Sequence, residues 1–250
     1  MPLRVRGISK RYRRDVALQE LDLEVFAGTV HGLLGSNGSG KTTALHIITG
    51  IVPADEGTVH HRGLLLKETA SRLHFGFAPD DLPIPLGLTG TEFLQLHDSF
   101  RGRADFSRGE EYASVFGVRE ALQRPMAAYS HGMKRKVQLA AALMHQPGLL
   151  IMDEPFRGLD PQTSAVLEDA ISLFTSAGGA VLLATHDLLR AEHQCDSLTM
   201  LHRGSAVATG NPKELIRKHG SLYTCFTNST GAQVEGRRRL DALRALLLDR

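Results

Sequence analysis

The chain has little cysteine, and this shortage excludes a class of proteins. Only two cysteines, Cys195 and Cys225, occur in 250 residues, which excludes the disulfide framework of a small secreted domain. Neither cysteine has a partner at a spacing typical of metal sites. Because the sequence predicts no disulfide, we expect a reducing, cytosolic environment for the protein.

Long hydrophobic runs are also missing. No segment reaches the roughly 18 apolar residues that a membrane-spanning helix needs, and the apolar runs at 148–152 and 180–184 have the length of strands. Basic residues near the N-terminus precede no apolar segment, so we expect no secretory signal. If the protein acts at a membrane, it therefore docks on a partner and does not insert.

A large excess of one charge sign is absent as well. Lys and Arg number 29 and Asp and Glu number 27, which gives a formal net charge of +2. This balance provides no overall attraction to nucleic acid or anionic lipid, and we expect no nucleic-acid partner. The length of 250 residues and the 42% of hydrophobic residues are typical of one large α/β domain or two small domains.

A glycine-rich loop is the most informative segment that is present. Residues 35–42 fit G-x-x-x-x-G-K-[ST], the pattern of a loop that holds nucleotide phosphates, between a predicted strand at 30–34 and a helix that ends at Gly50. Its backbone N–H groups and the helix N-terminus attract phosphate oxygens. Lys41 supplies a charge for the β- and γ-phosphates, and Thr42 supplies a hydroxyl for Mg²⁺. The candidate phosphate-binding residues are Gly35, Ser36, Asn37, Gly38, Ser39, Gly40, Lys41, Thr42 and Thr43.

Strand and helix patterns alternate along most of the chain. Two N-terminal strands are predicted at 3–10 and 19–27, since apolar and acidic residues alternate from Leu21 to Val25. Further strands are predicted at 30–34, 58–62, 73–78, 148–152 and 180–184. The continuous apolar character of the last two is typical of strands buried on both faces in a parallel sheet. The pattern predicts an α/β domain with a mostly parallel core sheet.

Helices complete this pattern in the second half of the chain. One is predicted from Ser130 to about residue 146, and another from the N-cap Asp160 and Pro161 to about residue 176. A hairpin is predicted around Arg203, and a short helix starts at Asn211. The tail at 235–248 has leucines on one helical face, which predicts an amphipathic helix; packing on its own domain is favoured over docking on a partner.

Residues 84–130 differ from the rest because no strand pattern occurs there. Thr89 and Glu92 form a predicted capping box, and Ser107 and Glu110 form a second one ahead of Tyr112, Val115 and Phe116. We therefore expect a helical insert within the α/β domain.

Two carboxylates follow an apolar strand. The run 149–152 leads directly into Asp153 and Glu154. Carboxylates at the C-terminal end of a parallel strand lie over the crevice where nucleotides bind. Asp153 is thus placed to hold Mg²⁺, and Glu154 is placed to orient or deprotonate an attacking water.

Two more segments are candidate nucleotide contacts. Ser130 precedes a new helix whose N-terminus favours an anion, although the spacing alone favours a plain capped helix with a solvated basic face. His186 follows the strand at 180–184, where it could donate a hydrogen bond to a γ-phosphate.

Together these segments resemble the ATP-binding subunit of ABC transporters, in the family's order and over residues 3–226. The loop at 35–42 is similar to the Walker A motif, 129–133 to the signature motif, and 149–154 to Walker B with its catalytic glutamate. The resemblance implies that Gly158–Asp160 is the D-loop, with Asp160 near the nucleotide, that His186 is the switch histidine and that Tyr12 stacks on adenine. The implied ligands are ATP and Mg²⁺. The implied fold is a P-loop NTPase of the ABC type, with an antiparallel N-terminal part.

The sequence departs from the family at two places. Asp80 stands where the family has a glutamine that contacts Mg²⁺, and an aspartate can still ligate this ion. His131 and Met133 replace Gly and Gln in the signature motif, whereas Ser130 and Gly132, which the family uses to contact the γ-phosphate, are retained. We therefore expect an active ATPase.

The resemblance also implies partners and a location. Two such subunits, identical or different, would form a head-to-tail dimer with ATP between the Walker residues of one chain and Ser130 of the other. Integral membrane subunits on separate chains would complete a transporter of the drug- and antibiotic-exporting branch. The protein would then lie peripherally on the cytoplasmic face of the membrane, and in the cytoplasm when unbound. The ATPase domain is assigned to 1–226 with its helical subdomain at about 84–147, and the tail to 227–250.

Two alternatives remain open at this point. A soluble ABC-type ATPase outside transport, such as those of iron–sulfur assembly, would carry the same motifs. A regulatory half of a heterodimeric transporter would account for Asp80 and the altered signature motif.

Overall fold

The computed structural model of the protein describes residues 1–67, 71, 74–80, 84–102 and 105–231. The predicted amphipathic helix at 235–248 lies outside these ranges, as does the first residue of the predicted strand at 73–78. Within the described ranges, no helix combines the length and the apolar character that crossing a bilayer requires.

An antiparallel sheet contains the N-terminal strands. Its strands are β1 (Leu3–Tyr12), β2 (Asp15–Val25), β4 (Glu56–His61) and β5 (Leu64–Leu65), in the order β2-β1-β4-β5. Side chains that alternate along β1 and β2 point to one face, so Leu3, Val5 and Leu23 are buried there. This sheet is the antiparallel part that the resemblance implied.

The first two strands differ from the predicted limits of 3–10 and 19–27. Strand β1 continues to Tyr12, while β2 begins at Asp15 and ends at Val25, and the two meet at a tight turn at 13–14. Their pairing changes register between Val5 and Ile8 and twice more before Arg11. Each irregularity breaks the period-two alternation of apolar side chains, so the alternation alone does not reveal the whole length of the strands.

A second, mostly parallel sheet forms the centre of the molecule. Its strands are β3 (Val30–Leu34), β6 (Phe75–Ala78), β7 (Leu149–Asp153), β8 (Ala180–Thr185), β9 (Ser197–His202) and β10 (Ser205–Gly210). In the described part of the chain, the order is β10-β9-β3-β8-β7-β6, and only β10 pairs antiparallel. Every residue of β3, β7 and β8 is buried, as the continuous apolar runs predicted.

Helix α1 (Lys41–Ile48) packs between the two sheets. Its side chains Leu45 and Ile48 are fully buried and share a core with Leu33 of β3 and Leu21 of β2. Because α1 begins just after β3 ends, the glycine loop lies at the C-terminal edge of the parallel strands.

Helices cover the other face of the parallel sheet. They include α4 (His131–Leu143), α5 (Pro161–Ser176), α6 (Leu188–Gln194), α7 (Pro212–His219) and α8 (Leu222–Thr230). The N-caps predicted at Ser130, Asp160 and Asn211 are confirmed. Helix α4 ends at Leu143, earlier than predicted, and the boundary drawn between 226 and 227 falls inside α8.

The insert contains α2 (Gly90–Ser99), α3 (Ser107–Val115) and two short 3₁₀ turns at 119–121 and 126–128. The capping box of Thr89 and Glu92 is confirmed, because each side chain accepts a hydrogen bond from the other residue's backbone N–H.

The second predicted capping box is wrong. Ser107 is already the first residue of α3, and the preceding residue Phe106 is the N-cap without a side-chain hydrogen bond. The carboxylate of Asp105 accepts from the Ser107 N–H at 3.0 Å instead. Val115 was expected on the apolar face of this helix, but its side chain is 59% exposed, whereas Phe116 is buried.

Candidate functional site

The glycine loop connects β3 to α1 in a conformation that requires glycine at both ends. A Cβ on Gly35 would lie 2.4 Å from Ser39 Oγ, and a Cβ on Gly40 would lie 2.6 Å from the carbonyl oxygen of Ala17. Gly40 has a φ of +108°, a left-handed conformation that L side chains rarely adopt. The backbone of the loop can therefore closely approach a ligand at the N-terminus of α1.

Lys41 is held inside this loop. Its Nζ donates to the carbonyl oxygens of Gly35 at 2.7 Å and Ser36 at 3.3 Å, and it lies 3.8 Å from Glu154 Oε1. The side chain is 6% exposed, and this burial lowers the pKa of the Lys41 amine, against the opposing effect of the carboxylates of Glu154 and Asp153. The amine is thus a buried positive charge at the floor of the loop.

A cleft of about 520 Å³ opens beside the loop. This volume lies within the range of small-ligand sites. It brings together residues that the sequence analysis selected from both halves of the chain. The lining residues are Ala17, Asn37, Gly38, Ser39, Gly40, Lys41, Thr42, Thr43, Asp80, Asp153, Glu154, Arg157 and His186.

Thr42 and Asp153 meet in this cleft. The Thr42 hydroxyl donates to Asp153 Oδ2 at 2.9 Å, although the two residues are 111 positions apart. Asp153 is 2% exposed, and burial raises the pKa of its carboxyl group to about 6, with a smaller opposing effect of the Thr42 hydrogen bond. Because burial disfavours the charged form of this carboxyl group, a nearby cation would stabilise that form, and Asp153 is therefore a suitable neighbour for a cation.

These two oxygen donors fit Mg²⁺ only with help from a ligand. Among the residues that the structure describes, no group of three or more His, Cys, Asp or Glu side chains is arranged to hold a metal ion. Mg²⁺ prefers one or two protein oxygens together with waters and phosphate oxygens. Thr42 and Asp153 would match that requirement if a phosphate ligand lay on the glycine loop.

Glu154 follows β7 and is fixed by groups at the end of β8. Its Oε1 lies 2.8 Å from His186 Nδ1, and its Oε2 accepts from the Thr185 hydroxyl at 3.0 Å. Its side chain is 12% exposed, whereas that of His186 is 59% exposed. The pair predicted at neighbouring strand ends is therefore in direct contact at the rim of the cleft. Thr185 was missed, although its position beside His186 was an available signal.

Asp80 lies at the cleft but is surrounded by arginines. Its two carboxylate oxygens accept from Arg135 Nη2 and, at 2.7 Å, from Arg157 Nη1. Asp80 and Arg135 are 8% and 1% exposed, and Arg157 is 58% exposed. Sequence reasoning missed both arginines, because nothing in the local pattern pairs residues 55 and 77 positions apart.

The signature residues do not reach the cleft within one chain. Ser130 caps α4, with its Oγ accepting from the Met133 N–H at 3.2 Å. A Cβ on Gly132 would lie 2.6 Å from the carbonyl oxygen of Gly158, so α4 packs against the loop after β7 at this point. Neither Ser130 nor Gly132 lines the cleft.

Tyr12 and Asp160 also lie outside the cleft lining. Tyr12 is at the end of β1, 44% exposed, with Lys10 Nζ 5.7 Å from its ring centroid. Asp160 caps α5, accepting from Thr163 N at 2.8 Å and from Lys136 Nζ at 3.0 Å. The hydrogen bonds from Thr163 and Lys136 lower the pKa of Asp160 well below its usual range. Both residues are accessible on the surface.

The family model and the similar proteins agree on one family. The profile of the ABC transporter family matches residues 18–157. The linearmycin resistance ATP-binding protein LnrL of Bacillus subtilis (strain 168) is 31% identical over 224 residues, which cover 87% of this chain and 72% of that protein. The bacitracin transport ATP-binding protein BcrA of Enterococcus faecalis is 33% identical over 228 residues, which cover 90% of this chain and 74% of that protein.

The fold is similar to that of solved structures. One of them, described as the structure of an ATP binding subunit of an ABC transporter, superposes with a TM-score of 0.83 at 30% identity. The match covers 92% of this chain and 99% of that one. The arrangement of an antiparallel sheet, a parallel core sheet and a helical insert is thus a shared architecture.

Proposed function

The chain belongs to the ABC transporter family as an ATP-hydrolysing, ATP-binding subunit, and we propose that the cleft beside the glycine loop is its ATP site. The observation that carries this proposal is the meeting of Lys41, Thr42, Asp153, Glu154 and His186 in one cleft at the C-terminal edge of the parallel sheet.

Phosphate binding would use the loop and Lys41. The backbone N–H groups of residues 37–43 and the N-terminus of α1 would bind the β- and γ-phosphates. Lys41 would exchange its present contacts with loop carbonyl oxygens for phosphate oxygens. Tyr12, which the resemblance assigns to adenine, lies on the β1–β2 hairpin, and Ala17 of the same hairpin lines the cleft.

Thr42 and Asp153 would hold Mg²⁺ together with the nucleotide. When bound, Mg²⁺ neutralises charge on the β- and γ-phosphate oxygens. The two residues supply hard oxygen donors 2.9 Å apart. Ligation by Asp80, which the resemblance implied, would require this residue to release one of its arginine partners.

Hydrolysis would use Glu154 as the general base. Its carboxylate would accept a proton from a water whose oxygen forms the new bond to the γ-phosphorus, while the bond from that phosphorus to the β–γ bridging oxygen breaks and ADP leaves. His186 and Thr185 hold the two carboxylate oxygens, so they would fix the orientation of the base.

Replacing the base tests this assignment. We expect Glu154→Gln to bind ATP normally but to lower the turnover number by about 100-fold or more, as for loss of a general base. The amide retains the shape of the carboxylate but cannot accept the proton. Steady-state ATPase assays and nucleotide titrations measure the two effects, and Glu111→Gln on the exposed surface of α3 is the matched control. Wild-type turnover in Glu154→Gln would contradict the role of Glu154.

The signature residues would act in a dimer. Because Ser130 and Gly132 lie outside the cleft of their own chain, a second subunit is needed to bring such residues to the nucleotide. We propose a head-to-tail dimer in which Ser130, Gly132 and the exposed Asp160 of one chain face the ATP of the other.

The partner in transport would be an integral membrane subunit on a separate chain. An apolar groove of about 300 Å³ lies between β6, α2 and α4, with Phe75, Phe77, Phe93 and Phe100 in its lining. A helical segment of the membrane subunit would fill this groove. The protein would then lie peripherally on the cytoplasmic face of the membrane.

The cargo would belong to the drug, antibiotic or peptide class, and the direction would be export. The support is that LnrL is a resistance protein and BcrA a bacitracin transport protein. The names of these relatives favour a transporter over a soluble ATPase of the iron–sulfur assembly type.

A further inference from the structure

Arg135 is one of the largest fully buried side chains of the described protein, and it lies beside the proposed catalytic base. It projects from the second turn of α4, five residues after the cap Ser130. A buried guanidinium is costly unless its donors have partners. The identity of those partners therefore indicates what the residue does.

Arg135 donates hydrogen bonds to groups in two segments of the chain. It donates to the carbonyl oxygen of Pro79 and to Asp80 Oδ1. Its Nη2 also donates to the backbone carbonyl oxygen of Glu154 at 3.2 Å. One planar side chain thus joins the two residues that follow β6 to the residue that follows β7.

The backbone of Glu154 needs such support. Its φ is +44°, in the left-handed region that costs free energy for a residue with a side chain. Its N–H donates to the carbonyl oxygen of Ala184 at 2.9 Å, and its own carbonyl accepts from the Arg157 N–H at 3.1 Å. Arg135 supplies the side-chain contact to this strained peptide unit.

We infer that Arg135 is a positioning residue for ATP hydrolysis and acts through the backbone of Glu154. Asp80 then serves to hold Arg135 in place by its charge, at the position where the family has a metal-contacting glutamine. The inference rests on the proposed role of Glu154 as the base. It assigns Asp80 and Arg135 a function that the cleft lining alone does not indicate.

Arginine is required at position 135 because the contacts use both terminal nitrogens of a planar guanidinium group. The guanidinium reaches Pro79, Asp80 and Glu154 with two nitrogens. Lysine keeps the charge that Asp80 requires, but a single ammonium cannot reproduce that geometry. Arg135→Lys is therefore expected to fold and to have a turnover number between those of wild type and Arg135→Gln.

A double-mutant cycle tests the inference. Single-turnover hydrolysis of radiolabelled ATP is measured for wild type, Arg135→Gln, Glu154→Gln and the double variant, with ATP dissociation constants and unfolding temperatures measured in parallel. We expect Arg135→Gln to lower the hydrolysis rate roughly 10-fold to 100-fold, as for a small misplacement of a catalytic group, with little change in ATP affinity. In the Glu154→Gln background the same change should have no further effect, because the group that Arg135 positions is already lost.

The outcomes separate this inference from the proposed function. Equal losses in both backgrounds, or an unchanged rate in Arg135→Gln, would overturn the positioning role while leaving the base assigned. A wild-type rate in Glu154→Gln alone would instead overturn the base. If Arg135→Gln does not fold, Arg135→Lys takes its place in the same cycle. Arg190→Gln is the matched control, since Arg190 is a partly buried arginine that pairs with the carboxylates of Glu168 and Asp187 and does not line the cleft.

Discussion

Asp153 is an ionisable residue that the fold buries almost completely beside a second carboxylate. Its carboxyl group has a pKa of about 6, above the ordinary value of 3.8, because burial disfavours the charged form. Between these two pH values the folded chain binds more protons than the unfolded chain. This residue therefore makes the ligand-free protein less stable as the pH rises from about 4 through 6.

Removing this charge should stabilise the protein without ligands. We expect Asp153→Asn to raise the unfolding temperature near pH 7.5, by about 2–4 °C for each kcal/mol recovered, while abolishing Mg²⁺-dependent ATP hydrolysis. The gain should shrink toward pH 5, where the wild-type carboxyl group takes up its proton. Thermal unfolding of wild type and Asp153→Asn at the two pH values, without Mg²⁺ or nucleotide, measures this gain in unfolding temperature. A wild type as stable as Asp153→Asn near pH 7.5 would contradict this account.

At the level of residues, the sequence predicts contacts that follow from short motifs. Lys41 and Thr42 are adjacent in the glycine loop, and Asp153 and Glu154 are adjacent at a strand end, so a parallel sheet brings them to one edge. The pairing of Asp80 with Arg135 depends on how the insert packs on α4, and no local period or cap encodes it. The prediction for Asp80 therefore considered a metal and not an arginine.

The groove between β6, α2 and α4 is an element-scale feature that has an exposed aromatic side chain in its lining. Phe100, at the C-terminal end of α2, is 73% exposed and lines this groove. Exposed aromatic side chains around an apolar concavity are typical of a protein–protein contact.

A charge in this groove should disrupt membrane association. We expect Phe100→Glu to fold normally but to lower its recovery with the co-expressed membrane subunit at least about 10-fold, since a buried unpaired carboxylate opposes docking. Val115→Glu is the control, because Val115 is 59% exposed on α3 and does not line the groove. Pull-down from detergent-solubilised membranes compares the two. Equal recovery of both variants would place the membrane contact elsewhere.

At the level of elements, the sequence predicts whether a segment is a strand or a helix better than it predicts where that segment begins and ends. The buried strands β7 and β8 and the helix α5 behind Asp160 follow from continuous apolar runs and a clear cap. The ends of β1 and β2 are hidden by register shifts, and the N-cap of α3 is displaced from Ser107 to Phe106. Helix α8 lacks a proline or acidic residue in its first turn, and it was not predicted.

At the scale of the whole molecule, Ser130 and Gly132 lie outside the cleft that contains the proposed ATP-binding residues. Three-dimensional similarity to an ATP-binding subunit confirms the predicted P-loop fold of the ABC type. The dimer proposed above follows from the position of Ser130 outside the cleft of its own chain. The resemblance implied a site shared between two chains, and the fold adds that Ser130 and Gly132 do not line the cleft of their own chain.

A large side chain at Ser130 should block the dimer and spare nucleotide binding. In the Glu154→Gln background, ATP is expected to double the molar mass in light scattering, because ATP is bound but not hydrolysed. Ser130→Arg should abolish this doubling while each chain still binds ATP, since Ser130 does not line its own cleft. Ser114→Arg, at an exposed position on α3, is the control. Dimerisation of the Ser130→Arg protein would contradict the proposed interface.

Helix α4 would connect two nucleotide sites in such a dimer. Its N-terminal cap Ser130 would face the nucleotide of the partner, while Arg135 on the same helix holds the backbone of its own Glu154. A helix of 13 residues moves nearly as a rigid rod, so a shift at the cap is transmitted to the second turn. Binding of ATP at one site would then adjust the catalytic carboxylate of the other, and the two sites would work as a cooperative pair and not as independent catalysts.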